Sequence, residues 1–520
     1  MKSNVNQLKW GSLLTYGQTA LGIIIGLIYT PFMIKTLGQS EYGLYNTVSS
    51  TIGVFSLLNL GFSSGYIRYY AKYKVNNEKE KIYNLNGLFL IIFSIIALVA
   101  FVGGIILSFN LNFIFSTGLD QEEYSKARIL MLFMTINMTL SFLMTVIRNI
   151  ITANERFVIL KSISMITTVV SPLINVPLLL LGFKSIGLVV SAVILSLLSD
   201  IIQCVYVFKF IKTKFYFRNF EKGLFKSLFA YSAFIAINMI VDQINWNIDK
   251  LLLARFKGTT MVAIYSVGYS LYNYYMQFST AVSGVFTPRI HRIVNQTKTN
   301  LNAQKSQLTD LFTRVGRIQF LILGLIASGI VFFGKAFILN FWAGPGYEDS
   351  YYVAVLIVLS SSIALIQNLG IEIQRAKNMH QFRSVVYSFM AIINLVLSII
   401  LCQKYGATGS AIGTAISLII ANGLVMNIYY HKKINIDIIY FWKSILQQAR
   451  GLIIPIISGF LIVKFVNLNS IIILFSSILI YSLIYCISEW FIGMNKYEKD
   501  LIKKPINKVL KKVKKYDQYC

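Results

Sequence analysis

Gly87-Leu-Phe-Leu-Ile-Ile-Phe-Ser-Ile-Ile-Ala-Leu-Val-Ala-Phe-Val-Gly-Gly-Ile-Ile-Leu-Ser-Phe109 is apolar from end to end apart from Ser94 and Ser108. A helix needs about 20 such residues to cross the roughly 30 Å of hydrocarbon in a bilayer. A strand of a membrane barrel would alternate apolar and polar residues instead. Runs of the same kind recur along the chain. About fourteen spans are predicted, near residues 8–34, 41–66, 83–109, 125–148, 158–182, 186–208, 227–253, 261–288, 316–341, 350–374, 382–402, 407–430, 449–466 and 470–492. The composition agrees: 56% of residues are hydrophobic and 13% charged, against about 25% charged in a soluble domain. The chain reads as an all-α polytopic membrane protein.

The formal charge is +28. On a soluble chain that would suggest nucleic acid, but here the basic residues cluster in alternate connections between spans, so no nucleic acid partner is implied. Arg68, Lys72, Lys74, Lys79 and Lys81 follow the second predicted span, Arg148, Arg156 and Lys161 the fourth, and Lys209, Lys212, Lys214 and Arg218 the sixth. Arg289, Arg292, Lys298, Arg314 and Arg317 lie between the eighth and ninth. The opposite connections are sparse, and Asp120, Glu122 and Glu123 make one of them acidic. By the positive-inside rule both termini are expected on the cytoplasmic side. Lys2 is not followed by a short apolar region with a small-residue cleavage site, so the first run is read as a retained span. Cys204, Cys402, Cys486 and Cys520 are isolated and match no metal-ligand spacing.

An internal repeat suggests the domain organisation. Gly38-Gln-Ser-Glu-Tyr-Gly-Leu-Tyr45 is echoed by Gly258-Thr-Thr-Met-Val-Ala-Ile-Tyr265, and Ser185-Ile-Gly187 by Ala407-Thr-Gly409. Ala153-Asn154 and Ala376-Lys377 make a third match, and all three pairs are separated by roughly 220 residues. Six spans per half is an even number, so the two halves are expected to run parallel, related about the membrane normal. The divisions predicted are 1–220 (spans one to six), 221–435 (spans seven to twelve), 436–493 (spans thirteen and fourteen) and a basic tail, 494–520. In that tail Ile506, Val509, Leu510 and Val513 share one helical face among seven lysines, a pattern that suits either an anionic membrane surface or a solvated tail.

The seventh span breaks the apolar pattern. In Asn238-Met-Ile-Val-Asp242-Gln-Ile-Asn245-Trp-Asn247-Ile-Asp249, the residues Asn238, Asp242, Asn245 and Asp249 follow at intervals of four, three and four, which places them on one helical face. Such side chains are unfavourable in lipid by several kcal/mol unless they face protein or a water-filled cavity. Counted at about 1.5 Å per residue from Lys226, Asp242 lies near or past the bilayer midplane. Asp242 and Asp249 are therefore candidates for taking up a coupling cation, Na⁺ or H⁺, and Asn238 and Asn245 for lining a cavity. Pairing of Asp249 with Lys250 or Arg255 is the alternative. No nucleotide-binding loop and no hydrolase or metalloprotease signature occurs, so neither an ATP-driven pump nor an enzyme is indicated. Two halves around a polar midplane point to alternating access.

The segment Lys9-Trp10-Gly-Ser, followed by Pro31-Phe-Met-Ile-Lys-Thr-Leu-Gly38-Gln-Ser-Glu-Tyr-Gly43-Leu-Tyr45, resembles the Wzx-type polysaccharide-unit flippases. These belong to the superfamily that also holds MATE drug exporters and MurJ-like lipid II flippases. Asn247-Ile-Asp249 through Arg255-Phe-Lys-Gly258, Pro288, and Phe341-Trp342-Ala-Gly344 fit the same pattern, so the resemblance covers essentially the whole chain. It implies two pseudo-symmetric six-helix lobes, with spans one, two, seven and eight around a central cavity and two further C-terminal helices. The implied activity is movement of undecaprenyl-pyrophosphate-linked oligosaccharide across a bacterial plasma membrane for capsule, O-antigen or exopolysaccharide synthesis. Implied partners are that lipid-linked substrate, membrane lipids, and the polymerase and glycosyltransferases of the pathway. A cation-coupled, MATE-like exporter of small molecules is the alternative.

MurJ-like members carry arginines within span one. Here that span has none before Lys35, which argues against lipid II as substrate and moves the search for a cation site elsewhere. Arg68 and Arg289 close the second span of each half and are separated by about the repeat distance. Guanidinium groups suit a pyrophosphate because they offer planar, bidentate donors. Ordinary loop charge is the other reading of both arginines.

Overall fold

A computed structural model of the chain describes residues 2–115, 119–218 and 223–504. Some side chains within the first and eighth helices lie outside this description, as does the basic tail from Pro505 onward. Among the described residues there is no strand. Helix packing forms two units, residues 1–267 with 387–414 and residues 268–386 with 415–520. These units differ in extent from the predicted halves 1–220 and 221–435, which rest on the repeat alone.

The first unit contains α1 (Lys2–Leu37), α2 (Gln39–Val54), α3 (Phe62–Val75), α4 (Lys79–Phe109), α5 (Gln121–Ala153), α6 (Phe157–Leu180), α7 (Lys184–Tyr206) and α8 (Leu224–Lys257). It also takes the start of α9 (Thr259–Gln296). The second unit holds most of α9, then α10 (Leu301–Ala336), α11 (Glu348–Ile366) and the short α12 (Leu369–Ala376). The helix α13 (Gln381–Leu418) contributes to both units, and α14 (Met426–Lys432), α15 (Ile438–Ala449), α16 (Ile453–Phe465) and α17 (Ile471–Ser488) complete the second.

Ten helical stretches among the described residues are long and apolar enough to cross a membrane. One of them, Gln381–Lys432, holds two predicted spans and bends at Gly406, where φ is 58° and ψ −135°. The predicted spans 41–66, 227–253 and 261–288 fall on helices outside the ten, so length and apolarity do not establish the count of fourteen. Span 41–66 is not continuous. Its helix stops at Val54, passes through a turn at Phe55–Asn59, and restarts at Phe62 after left-handed Leu60 and Gly61.

Helix α4 shows how the sequence distributes its apolar surface. Phe89, Phe93, Ile96 and Ala100 are buried on one face, while Ile95, Leu98, Val102 and Ile106 are exposed on the other. An exposed apolar stripe of this length would be a liability in water but is the natural outer face of a helix in lipid. The buried face packs with Tyr66, Val146 and Ile150 in a core shared by α3, α4 and α5. Asn86 within that core is fully engaged: it accepts from the Tyr66 hydroxyl at 2.6 Å and donates to Thr213 Oγ1 at 2.8 Å and the Lys214 carbonyl at 2.9 Å. In the second unit, Phe312 stands 4.7 Å from Phe441 between ring centroids, which fixes α10 against α15.

Two glycines of the repeat share one conformation. Gly38 precedes α2 with φ 77° and ψ 170°, and Gly258 precedes α9 with φ 85° and ψ 179°. That region is essentially closed to residues with a Cβ, at about 1–3 kcal/mol each. Gly258→Ala is therefore expected to lower the melting temperature of the purified protein, whereas Gly17→Ala, in open space on α1, should not. Equal melting of the two variants would contradict this account of the motif.

Candidate functional site

Of the polar face predicted on α8, the side chains of Asn238, Asp242 and Asn245 lie outside the described residues. Asp249 is described, and it is buried at 1% exposure. Its carboxylate accepts from Tyr265 Oη at 2.8 Å, Ser410 Oγ at 2.7 Å and Thr414 Oγ1 at 2.8 Å. Three elements build this nest. Asp249 sits two turns before the end of α8, Tyr265 comes from the first turns of α9, and Ser410 and Thr414 lie one turn apart on α13 just past the bend at Gly406. Asn394 and Ser398, from the part of α13 before the bend, extend the cluster. Ser398 Oγ lies 3.2 Å and Thr414 Oγ1 3.3 Å from Asn394 Oδ1. All of these residues belong to the first unit. A carboxylate ringed by hydroxyl and amide oxygens in an apolar setting can exchange its hydroxyl donors for a small cation, or hold a proton, because those oxygens serve as donors or as ligands. Of the two predicted alternative partners, Lys250 and Arg255, the latter donates to the Phe113 carbonyl.

The polar character of α8 extends to residues the sequence reading passed over. Asn247 Nδ2 donates to Gln243 Oε1 at 2.6 Å, and Gln243 Nε2 donates to Ser56 Oγ at 2.8 Å. Arg68 is exposed on α3 of the first unit, and Arg289 is exposed on α9 in the second.

Two acidic residues prove more deeply built in than their positions near span ends suggest. Asp200, near the end of α7, is 3% exposed and pairs with Arg148 at 3.2 Å. Arg148, read as loop charge, turns back along α5 and donates to the Ser141 carbonyl at 2.6 Å and hydroxyl at 2.8 Å. Glu41, in the first turn of α2, accepts from the Ser185 backbone at 3.0 Å and its hydroxyl at 2.6 Å, and from Lys126 at 3.4 Å. It thereby joins the starts of α2 and α7 to α5. The resemblance quoted Glu41, but only the fold gives it a task.

The second unit carries its own polar seam. Tyr275, Ser279, Ser283 and Thr287 follow at intervals of four on α9 and meet Ser362, the Leu365 carbonyl, Asn368 and Glu372 in turn. Glu372 also accepts from Arg375 at 2.7 Å. The four-residue spacing was visible in the sequence, but hydroxyls of this kind are common in membrane helices and gave no separate signal.

Known proteins fit this framework. Residues 9–294 match the family described as polysaccharide biosynthesis protein. The chain is 23% identical over 425 residues to "Uncharacterized membrane protein EpsK" of Bacillus subtilis (strain 168), covering 79% of this chain and 80% of that protein. Among solved structures it is similar to lipid II flippase MurJ in an inward closed conformation, with a TM-score of 0.69 and 20% identity over 95% of this chain and 99% of the other. A multidrug resistance MATE family transporter of the MOP superfamily, inward-facing, gives a TM-score of 0.56 at 12% identity, over 80% of this chain and 99% of the other. At these identities the structural likenesses define the fold, which is of the transporter and flippase type. The chain belongs to the polysaccharide biosynthesis protein family, as a multi-pass helical membrane protein with the MurJ/MATE fold.

Proposed function

We propose that this protein moves undecaprenyl-pyrophosphate-linked oligosaccharide units from the cytoplasmic to the outer leaflet of a bacterial plasma membrane by alternating access. The observation that carries the reading is the family match over residues 9–294 on a fold of the transporter type. The fuller likeness to a lipid II flippase than to a multidrug transporter supports a lipid-linked cargo over a small soluble one. A cargo of this kind leaves its lipid tail in the bilayer and needs a hydrated, polar route for its headgroup alone. In this reading Asp249, with Asp242 on the same face of α8, takes up the Na⁺ or H⁺ that drives the cycle, and Asn238 and Asn245 line the headgroup's path. Arg68 in the first unit and Arg289 in the second each offer a guanidinium suited to the pyrophosphate, and both termini lie on the cytoplasmic side.

The test is rescue of surface polysaccharide in a strain that lacks its own flippase and is supplied with the matching lipid-linked unit. The parent chain should restore the polymer and confer no resistance to cationic dyes. Arg68→Lys and Arg289→Lys should each reduce rescue at equal membrane levels, because lysine cannot hold a phosphate bidentately. Full rescue by both lysine variants would return these arginines to ordinary loop charge. Dye resistance without rescue would favour the exporter.

A further inference from the structure

A cavity of about 510 Å³ lies within the first unit, walled by α2, the turn at Phe55–Asn59, α5 and α7. That volume is in the range of small-molecule sites, about 300–1,000 Å³. Tyr45, Ser49, Asn59, Asn137, Thr145 and Ser196 contribute polar groups to its wall, and Met134 and Met138 soft apolar surface. Among the described residues Asn137 makes no hydrogen bond to the protein, which leaves a complete amide to meet whatever occupies the space. Such a wall is unfavourable against a lipid chain, since each polar group there would lose its hydrogen bonds to water.

Among the described residues, one ion pair reaches the lining, at Ser141. Ser141, which lines the cavity, receives a hydrogen bond from Arg148, and Arg148 is itself paired with the buried Asp200. The two charges of that pair offset each other, so the wall at Ser141 presents no net charge to draw an anion or a cation. The described lining is a set of neutral donors and acceptors, two aromatic rings (Tyr45 and Phe142) and two thioethers. This chemistry matches a sugar ring, with hydroxyls at its rim and C–H groups on its faces.

We propose that this cavity is a saccharide subsite that binds uncharged sugar residues of the transported headgroup, apart from the site that holds the pyrophosphate. The proposal rests on the flippase reading and goes beyond it, since it divides the headgroup between a charged and a neutral site. Thr145→Val and Asn137→Leu change the cavity's chemistry with little change of volume.

The experiment uses the full chain with its four cysteines replaced and one introduced by Ser196→Cys. Its reaction with N-ethylmaleimide is compared in two strains, one that makes the lipid-linked saccharide and one whose priming glycosyltransferase is deleted. Labelling should be roughly tenfold slower in the first strain, as for a ligand present at about ten times its Kd. Asn137→Leu should abolish that protection, and both Asn137→Leu and Thr145→Val should impair rescue at normal membrane levels. If the parent chain rescues but labelling is equal in the two strains and both variants rescue fully, the saccharide subsite is wrong and the flippase reading stands. If the parent chain itself does not rescue, both fall. Protection by ethidium in the strain without saccharide would overturn the proposal in favour of a drug pocket.

Discussion

Asp249→Asn is expected to insert and fold, to reach the membrane at the parent's level, and to lose rescue of surface polysaccharide to the level of an empty vector. The substitution keeps the size of the side chain but removes the charge that three hydroxyls, from Tyr265, Ser410 and Thr414, converge upon. A purely structural carboxylate would tolerate the amide with a modest loss of stability, because hydrogen bonds to the hydroxyls can be rearranged at about 0.5–1.5 kcal/mol each. A coupling carboxylate cannot, since an amide neither takes up a proton nor offers a charge to Na⁺. A second measurement separates the two roles. Binding of a cation to the folded state raises stability by mass action, so the melting temperature of the parent should rise with Na⁺ or with falling pH, and that of Asp249→Asn should not. If parent and variant respond alike and both rescue, Asp249 is a structural residue. Asp242→Asn, treated the same way, asks whether the second predicted carboxylate shares the task.

The largest effect on stability is expected at Arg317. It is 4% exposed and grips Glu498 with two nitrogens, at 2.5 and 2.9 Å. It also donates to the Ser444 carbonyl at 2.7 Å and the Gly493 carbonyl at 2.9 Å. One side chain on α10 thus holds α15 and the segment that follows α17. Arg317→Met would leave the Glu498 carboxylate buried and uncompensated, which typically costs about 3–5 kcal/mol. The double variant Arg317→Met with Glu498→Met removes both charges and should recover much of that loss. Thermal melts of the two variants in one detergent check this: equal destabilisation would mean that the ion pair is not what joins these elements.

The helical class and most of the span positions were legible because membrane helices announce themselves by uninterrupted apolar length, as in Gly87–Phe109. The glycine pair Gly38 and Gly258 was legible as well, since a conformation available mainly to glycine leaves a fixed letter at each copy of the repeat. The break at Leu60 and Gly61 was not, because neighbouring apolar residues hid it inside a run of suitable length. Asp249 stood out as an acid in an apolar span, but its partners did not. Ser410 and Thr414 lie 161 and 165 residues further along, and isolated hydroxyls in a membrane helix carry little information until the fold supplies the acid. Arg148 and Arg317 were read as loop charge for a related reason. Each sits at a span end, where the positive-inside rule already explains a basic residue, and only the fold shows that Asp200 and Glu498 draw them inward.

The claim at the centre of this account is that the protein moves a lipid-linked saccharide across a bilayer. Its most direct test is reconstitution into sealed vesicles that carry undecaprenyl-pyrophosphate-linked oligosaccharide in both leaflets, with a membrane-impermeant glycosidase added outside. Without protein, only the outer-leaflet headgroups should be cleaved. With the parent chain, cleavage should continue into the inner-leaflet pool at a rate set by an imposed Na⁺ or proton gradient, and Asp249→Asn vesicles should match protein-free ones. Cleavage that stops at the outer leaflet with the parent chain, in vesicles where the protein is folded and the gradient is intact, would contradict the account.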